Sequence, residues 1–146
     1  MEILLHENPD DLGALVTMAD INNRLKNYAA AVKLFERVVA IAEEKQDLLL
    51  RVYVVALGEA QVMANNGEVG DDAIKTFEYA LTIKGFGQSP IARYYLAMAK
   101  AQRGEPEKAL IEWQMLLGEG SPGIFWKARL RQAITETKKA LREKAQ

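Results

Sequence analysis

The chain has 146 residues, of which 49% are apolar and 27% charged, with a net charge of −1 and no cysteine. These figures exclude an intrinsically disordered chain, a disulfide framework, thiolate zinc sites, iron–sulfur ligation and a cysteine nucleophile, and they fit one compact domain or one short repeat array. The most apolar stretch, Leu48 to Leu57, is interrupted by Arg51 and too short to span a bilayer, and Met1-Glu2-Ile3-Leu4-Leu5-His6 lacks the features of a secretory signal, so the segment reads as soluble.

Taken in order, the chain is cut by helix breakers at Asn8-Pro9, Asn65-Asn66-Gly67, Gly70, Gly85-Phe86-Gly87 with Pro90, Arg103-Gly104, and Gly118 to Gly123. The segments between them predict helices over 10–26, 28–45, 48–65, 71–84, 90–103, 106–117 and 122–143. The second carries Val32, Phe35, Val38, Val39 and Ala42 at the three–four spacing of an amphipathic helix, and the fourth carries Ile74, Phe77, Ala80 and Leu81 in the same way. Asp10, Asp71 and Ser121 suit N-caps, and Pro106 suits a first helical turn. Alternating, strand-like runs are missing, which makes the expected fold all-α.

Three of these segments resemble one another. Each has an alanine, three residues, an aromatic, and then two apolar positions: Ala31-Phe35-Val38-Val39, Ala73-Phe77-Ala80-Leu81 and Ala109-Trp113-Leu116-Leu117. Each follows a helix with a large–small pair, Met18-Ala19, Leu57-Gly58 or Leu96-Ala97, and the small residue precedes the alanine by 12, 15 and 12 positions. A large–small pair in helix A and A-x3-F in helix B, at a period of about 34 residues, is the tetratricopeptide pattern. Small residues let the two helices of a hairpin approach, the aromatic fills the gap to the next hairpin, and about three hairpins must stack to bury a continuous core. The expected architecture is a tetratricopeptide (TPR) helical-repeat solenoid forming a single domain over 1–146, with repeats at about 10–45, 48–84 and 90–117 and a C-terminal capping helix over 122–143.

Catalytic chemistry finds little purchase. His6 is the only histidine, too few for most metal sites or a relay. Gly118-Glu119-Gly120-Ser121-Pro122-Gly123 matches G-x-G-x-x-G literally, but a helix precedes it and a proline occupies the turn, so it reads as a hairpin loop. The pairs Asp10-Asp11, Glu43-Glu44 and Asp71-Asp72 sit at helix ends, where neighbours diverge and suit the helix dipole better than acid–base work. No catalytic set, metal site or cofactor is therefore expected.

Between Lys127 and Lys144 seven basic residues outnumber two acidic ones, leaving −6 on residues 1–126, and the alternation with apolar residues reads as a solvated helix face. The net charge does not call for nucleic acid. The concave face of the array is expected to present Val16, Asp20 and Asn23, then Val52, Val55, Glu59 and Val62, then Ile91, Tyr94 and Met98. A chain-terminal carboxylate calls for convergent basic and amide side chains, for which only Asn23 and Arg24 are candidates. A mainly apolar floor suits the apolar face of an amphipathic helix instead. In that reading, Val55→Glu or Tyr94→Ala weakens binding without unfolding the array.

The run Ala56-Leu57-Gly58-Glu59-Ala60, the turn Asn65-Asn66-Gly67-Glu68-Val69 and the following Ala73 and Ala80-Leu81 resemble the periplasmic TPR domains that assist c-type cytochrome maturation, the CcmI/CycH/NrfG type. Tyr95-Leu96-Ala97-Met98-Ala99, Gln102-Arg103-Gly104-Glu105, Ala109-Leu110-Ile111-Glu112-Trp113 and the ending from Ser121-Pro122 through Trp126 to Ile134-Thr135-Glu136 are similar too. The likeness covers about 50–141, with the three-residue insertion in the middle repeat as its most specific element. It implies a chaperone that captures the C-terminal helix of apocytochrome c and passes it to the haem-ligation proteins. It also implies a periplasmic location, as the soluble part of an inner-membrane-anchored protein whose anchor is not in this chain. The alternative is a generic cytoplasmic TPR adaptor that binds an unrelated protein or peptide, through the same groove or through Lys138, Lys139 and Arg142.

Overall fold

A computed structural model describes residues 8–85, 89–119 and 124–146, the side chains of Ile124 and Phe125 excepted. Among the described residues the regular structure is entirely helical: α1 (Leu12–Arg24), α2 (Tyr28–Lys45), α3 (Leu50–Ala64), α4 (Asp71–Thr82), α5 (Pro90–Gln102), α6 (Pro106–Gly118) and α7 (Ile124–Ala145). The chain divides into two compact units, Met1–Phe86 and Gly87–Gln146. In the first, α1 packs on α2, α2 on α3 and α3 on α4; in the second, α5 packs on α6 and α6 on α7. Packing of each helix on the next is compatible with a helical repeat.

Most of the repeated sequence positions are buried, the last apolar position being only half-buried at Leu81 and Leu117. Ala31, Ala73 and Ala109 are fully enclosed, and so, within a few per cent, are the aromatics Phe35, Phe77 and Trp113 and the residues Val38, Ala80 and Leu116 that follow them. Enclosing one such aromatic is worth about 1.5–3 kcal/mol. In the first unit the small residue of the α3 pair is a contact surface: a Cβ on Gly58 would lie 2.6 Å from Cε1 and Cζ of Phe77 on α4. The hydroxyl of Tyr79 on α4 donates to Glu43 Oε2 near the end of α2 at 2.9 Å. That bond and partial burial both raise the phenol above its ordinary range, burial more strongly.

Four helix ends share one motif, whereas α4 ends in an extended Ile83 and α6 in a right-handed Glu119. Lys26, Gln46, Asn66 and Gly104 all have left-handed backbones, with φ of 62°, 53°, 58° and 90°. After each of them the next amide closes back on the helix: Asn27 N to Asn22 O, Asp47 N to Ala42 O, Gly67 N to Val62 O and Glu105 N to Lys100 O, at 2.8–2.9 Å. This motif returns otherwise orphaned carbonyls to a partner and costs a glycine little.

Helix starts differ in detail from the expectation. Asp11, not Asp10, caps α1, its Oδ1 accepting from Ala14 N at 2.8 Å. Asp10 stands 3.8 Å from Arg37 instead. Gly70 holds the cap position of α4, so Asp71 and Asp72 fall in its first turn. Pro106 opens α6 as expected. Ser89 caps α5 with its hydroxyl 3.3 Å from Ala92 N, ahead of Pro90 in the first turn. The third helix starts at Leu50 because Asp47 folds the preceding residues into a turn, accepting from Leu49 N at 2.8 Å. Ser121 lies outside the described residues.

Candidate functional site

Of the ten residues expected on a concave face, Asp20 and Val52 are exposed, Val16, Asn23, Glu59, Ile91 and Met98 are half-buried, and Val55, Val62 and Tyr94 belong to the core. The burial of Val55 and Val62 has a simple cause: α3 packs against both α2 and α4, so it needs apolar side chains on two sides. Val55→Glu would place a carboxylate at a site only 7% exposed, and Tyr94→Ala would hollow out one 5% exposed, so both substitutions attack the fold before any ligand.

In the first unit an open cleft of about 330 Å³ brings Asp20 and Asn23 of α1 together with Glu59 and Met63 of α3. Tyr28 and Phe35 of α2, with Ala56 and Ala60 of α3, form its apolar walls. The Oδ1 of Asn23 is buried without a hydrogen-bond partner. Three residues expected to share a face, Asp20, Asn23 and Glu59, therefore do converge.

The second unit has a cleft of about 420 Å³ lined by Tyr94, Met98 and Gln102 of α5, Trp113 of α6, and Arg129, Gln132, Ala133 and Glu136 of α7. Tyr94 anchors it. Its ring meets Tyr95 at 5.1 Å and Trp126 at 5.3 Å edge-on, and Trp113 at 6.0 Å tilted, while its carbonyl accepts from Trp113 Nε1 at 3.1 Å. The Arg129 guanidinium lies 5.2, 5.9 and 4.7 Å from the ring centres of Tyr94, Tyr95 and Trp126. Each such contact is worth about 0.5–2 kcal/mol as solvent is excluded. Burial raises the Tyr94 phenol, Arg129 draws it part of the way back, and Glu136 adds to the rise. The sequence reading missed Arg129; its one local signal was the spacing of three from Trp126, which puts both on one helix face.

In the same unit Arg93 of α5 clamps α6. Its Nε donates to Glu112 Oε1 at 2.8 Å and its Nη1 to Glu119 Oε2 at 2.7 Å. The hydrogen bond from Arg93 holds the Glu119 carboxyl below its ordinary range.

Among the described residues no three His, Cys, Asp or Glu side chains group closely enough to hold a metal ion, and no helix is long and apolar enough to cross a membrane. His6 and residues 120–123 of the glycine-rich stretch lie outside the described residues. No family model and no curated protein matches the sequence.

Proposed function

We propose that this protein is a non-enzymatic peptide-binding module of the tetratricopeptide kind, which holds an amphipathic helix of a client protein. The observation that carries the reading is the second-unit cleft, where the half-buried Met98 adjoins the largely enclosed rings of Tyr94 and Trp113, and Arg129, Gln132 and Glu136 form a polar rim. Such a mixture accepts an apolar helix face while its edges satisfy polar neighbours. The repeat assignment draws support from the buried Ala-x3-aromatic positions and from the Gly58–Phe77 approach. The resemblance over 50–141 extends the proposal to a client, the C-terminal helix of apocytochrome c, and to work in the periplasm beside the haem-ligation proteins.

The test is isothermal titration with a synthetic peptide of a c-type cytochrome's C-terminal helix, against a scrambled peptide of equal composition. Selective binding with a negative heat-capacity change supports apolar capture. Met98→Glu, at a half-buried cleft position, is expected to weaken that binding by about tenfold or more, roughly 1.4 kcal/mol, with the fold intact by circular dichroism. Equal or absent binding of both peptides refutes the cytochrome client. The adaptor reading has one observation in its favour, the exposed Lys138, Lys139 and Arg142 on α7, and it predicts loss of partner binding on neutralising them.

A further inference from the structure

The turn between α3 and α4 holds the only Asn-Gly pair of the chain, Asn66-Gly67. An asparagine before glycine is open to attack by its own backbone, because glycine has no Cβ to crowd its nitrogen as that atom approaches the side-chain carboxamide. The other asparagines are poorer substrates. Pro9 after Asn8 has no N–H, Asn22 and Asn23 lie inside α1, and Asn27 and Asn65 are each followed by a residue with a side chain. Asn66 is exposed and lines an open cleft with Lys26, Tyr28 and Met63. The fold presents this pair and also restrains it. Asn66 and Gly67 are both left-handed, with φ of 58° and 89°. The Gly67 N–H donates to Val62 O at 2.9 Å, and Glu68 N–H to Asn65 O at 3.1 Å. Asn65 braces the turn, its Nδ2 donating to Glu68 O at 3.2 Å, and the enclosed Val69 pins the far side.

We infer that Asn66 is a site of spontaneous deamidation, gated by local opening of the α3–α4 turn. The Gly67 nitrogen, having given its proton to a solvent base, forms a bond to Asn66 Cγ; the Cγ–Nδ2 bond breaks, and that nitrogen takes a proton and leaves as ammonia. Water then opens the resulting succinimide. Cleavage between the ring nitrogen and Cγ gives aspartate in an unchanged main chain, whereas cleavage at the main-chain carbonyl leaves the chain running through Cγ as isoaspartate. In the closed turn the nucleophile is engaged, since its proton points at Val62 O. Deamidation therefore needs the same opening that lets the Gly67 amide exchange its hydrogen with water. Isoaspartate adds a methylene between residues 66 and 67, which takes the Gly67 N–H out of register with Val62 O and leaves the end of α3 without its closing bond. The aspartate product keeps that bond, and its new carboxylate joins a cleft that already holds Lys26.

The whole chain and a synthetic peptide of residues 62–70 are aged side by side in one mildly alkaline buffer. Deamidation is followed by mass spectrometry of digests, and exchange of the Gly67 amide by nuclear magnetic resonance. Asn66 is expected to be the first asparagine of the chain to react, about tenfold or more slowly than in the peptide, with Gly67 exchange slowed by the same factor within about threefold. Asn65→Ala, which removes the brace at an exposed position, is expected to speed the reaction at Asn66 by about threefold. Chains enriched in isoaspartate are expected to unfold at a lower urea midpoint by circular dichroism, and freshly prepared Asn66→Asp is not. Equal rates in chain and peptide overturn the gate, as does a slowing that Gly67 exchange does not share. Reaction spread evenly over the asparagines, or none at Asn66 in the chain even in urea below the unfolding transition, overturns the site. An Asn66→Asp variant as destabilised as the isoaspartate chain overturns the role of the added methylene.

Discussion

The sharpest test of how the first unit is packed is a single methyl group. In Gly58→Ala the new Cβ would stand 2.6 Å from two ring carbons of Phe77, about 1 Å inside the optimal carbon–carbon separation. Phe77 is fully enclosed, so its ring has nowhere to retreat without displacing neighbours. Overpacking of this kind costs about 1–3 kcal/mol, while alanine in place of glycine within a helix returns about 0.5–1 kcal/mol. The steric cost wins, and the net loss is about 1–2 kcal/mol, read as a lower urea midpoint by far-ultraviolet circular dichroism at unchanged slope. Phe77→Leu removes the obstructing ring carbons, at a cost of its own, and in that background Gly58→Ala is expected to be neutral or stabilising. The resulting coupling of about 1–2 kcal/mol in the double-mutant cycle is the signature of direct contact. Ala19 and Ala97 hold the corresponding place in the other two hairpins and are buried there with their methyl groups, so the refusal is specific to α3 against α4. A raised urea midpoint for Gly58→Ala alone would refute the argument.

Three further expectations follow from helix ends and ion pairs. Lys26 holds a left-handed backbone where the third hairpin uses Gly104, so Lys26→Gly is expected to stabilise the first unit by about 0.5–1 kcal/mol in urea denaturation, and Lys26→Ala is not. Ser89→Ala is expected to cost about 1 kcal/mol through loss of the α5 cap, most of it restored by Ser89→Thr. Because Arg93 depresses the folded-state pKa of Glu119, the pair stabilises above the ordinary carboxylate value of about 4.3 and its contribution disappears as the pH falls through the lower folded value. The Tm of Glu119→Gln is therefore expected to fall less than that of the wild type on acidification below about pH 4.5, and parallel declines would remove the pair from the account.

The helices and their buried anchors were legible because both follow from local spacing. Ala31, Phe35 and Val38 recur on one helical face whatever surrounds them, and the breakers between segments are glycines and prolines whose backbone demands are local. The turn at Lys26 was not legible as left-handed, since the residue at that position is neither glycine nor asparagine and the asparagine that follows, Asn27, holds the cap position of α2 instead. The choice between Asp10 and Asp11 as cap depends on where the chain enters α1, which adjacent identical residues cannot reveal. On α3, Val52, Val54, Val55, Leu57 and Val62 leave almost no polar stripe, so periodicity cannot say which valines face a neighbour and which face outward; the structure buries Val55 and Val62 and exposes Val52. Arg129 over its three rings needed the rotation of α7 against α5, a tertiary quantity that spacing along one helix does not contain.

The aromatic cluster around Tyr94 has an optical consequence. Both tryptophans of the chain, Trp113 and Trp126, lie in the second unit within 6.0 Å of that one ring, and the first unit has none. Excitation selective for indole thus reports on the second unit alone, while the first stays dark except through the tyrosines Tyr28, Tyr53 and Tyr79. A guanidinium over Trp126 and a buried, hydrogen-bonded Trp113 give the folded state an emission that exposure of these rings to solvent is expected to change. Emission and ellipticity, recorded together along one denaturation, separate the fate of 87–146 from that of the whole chain without any label.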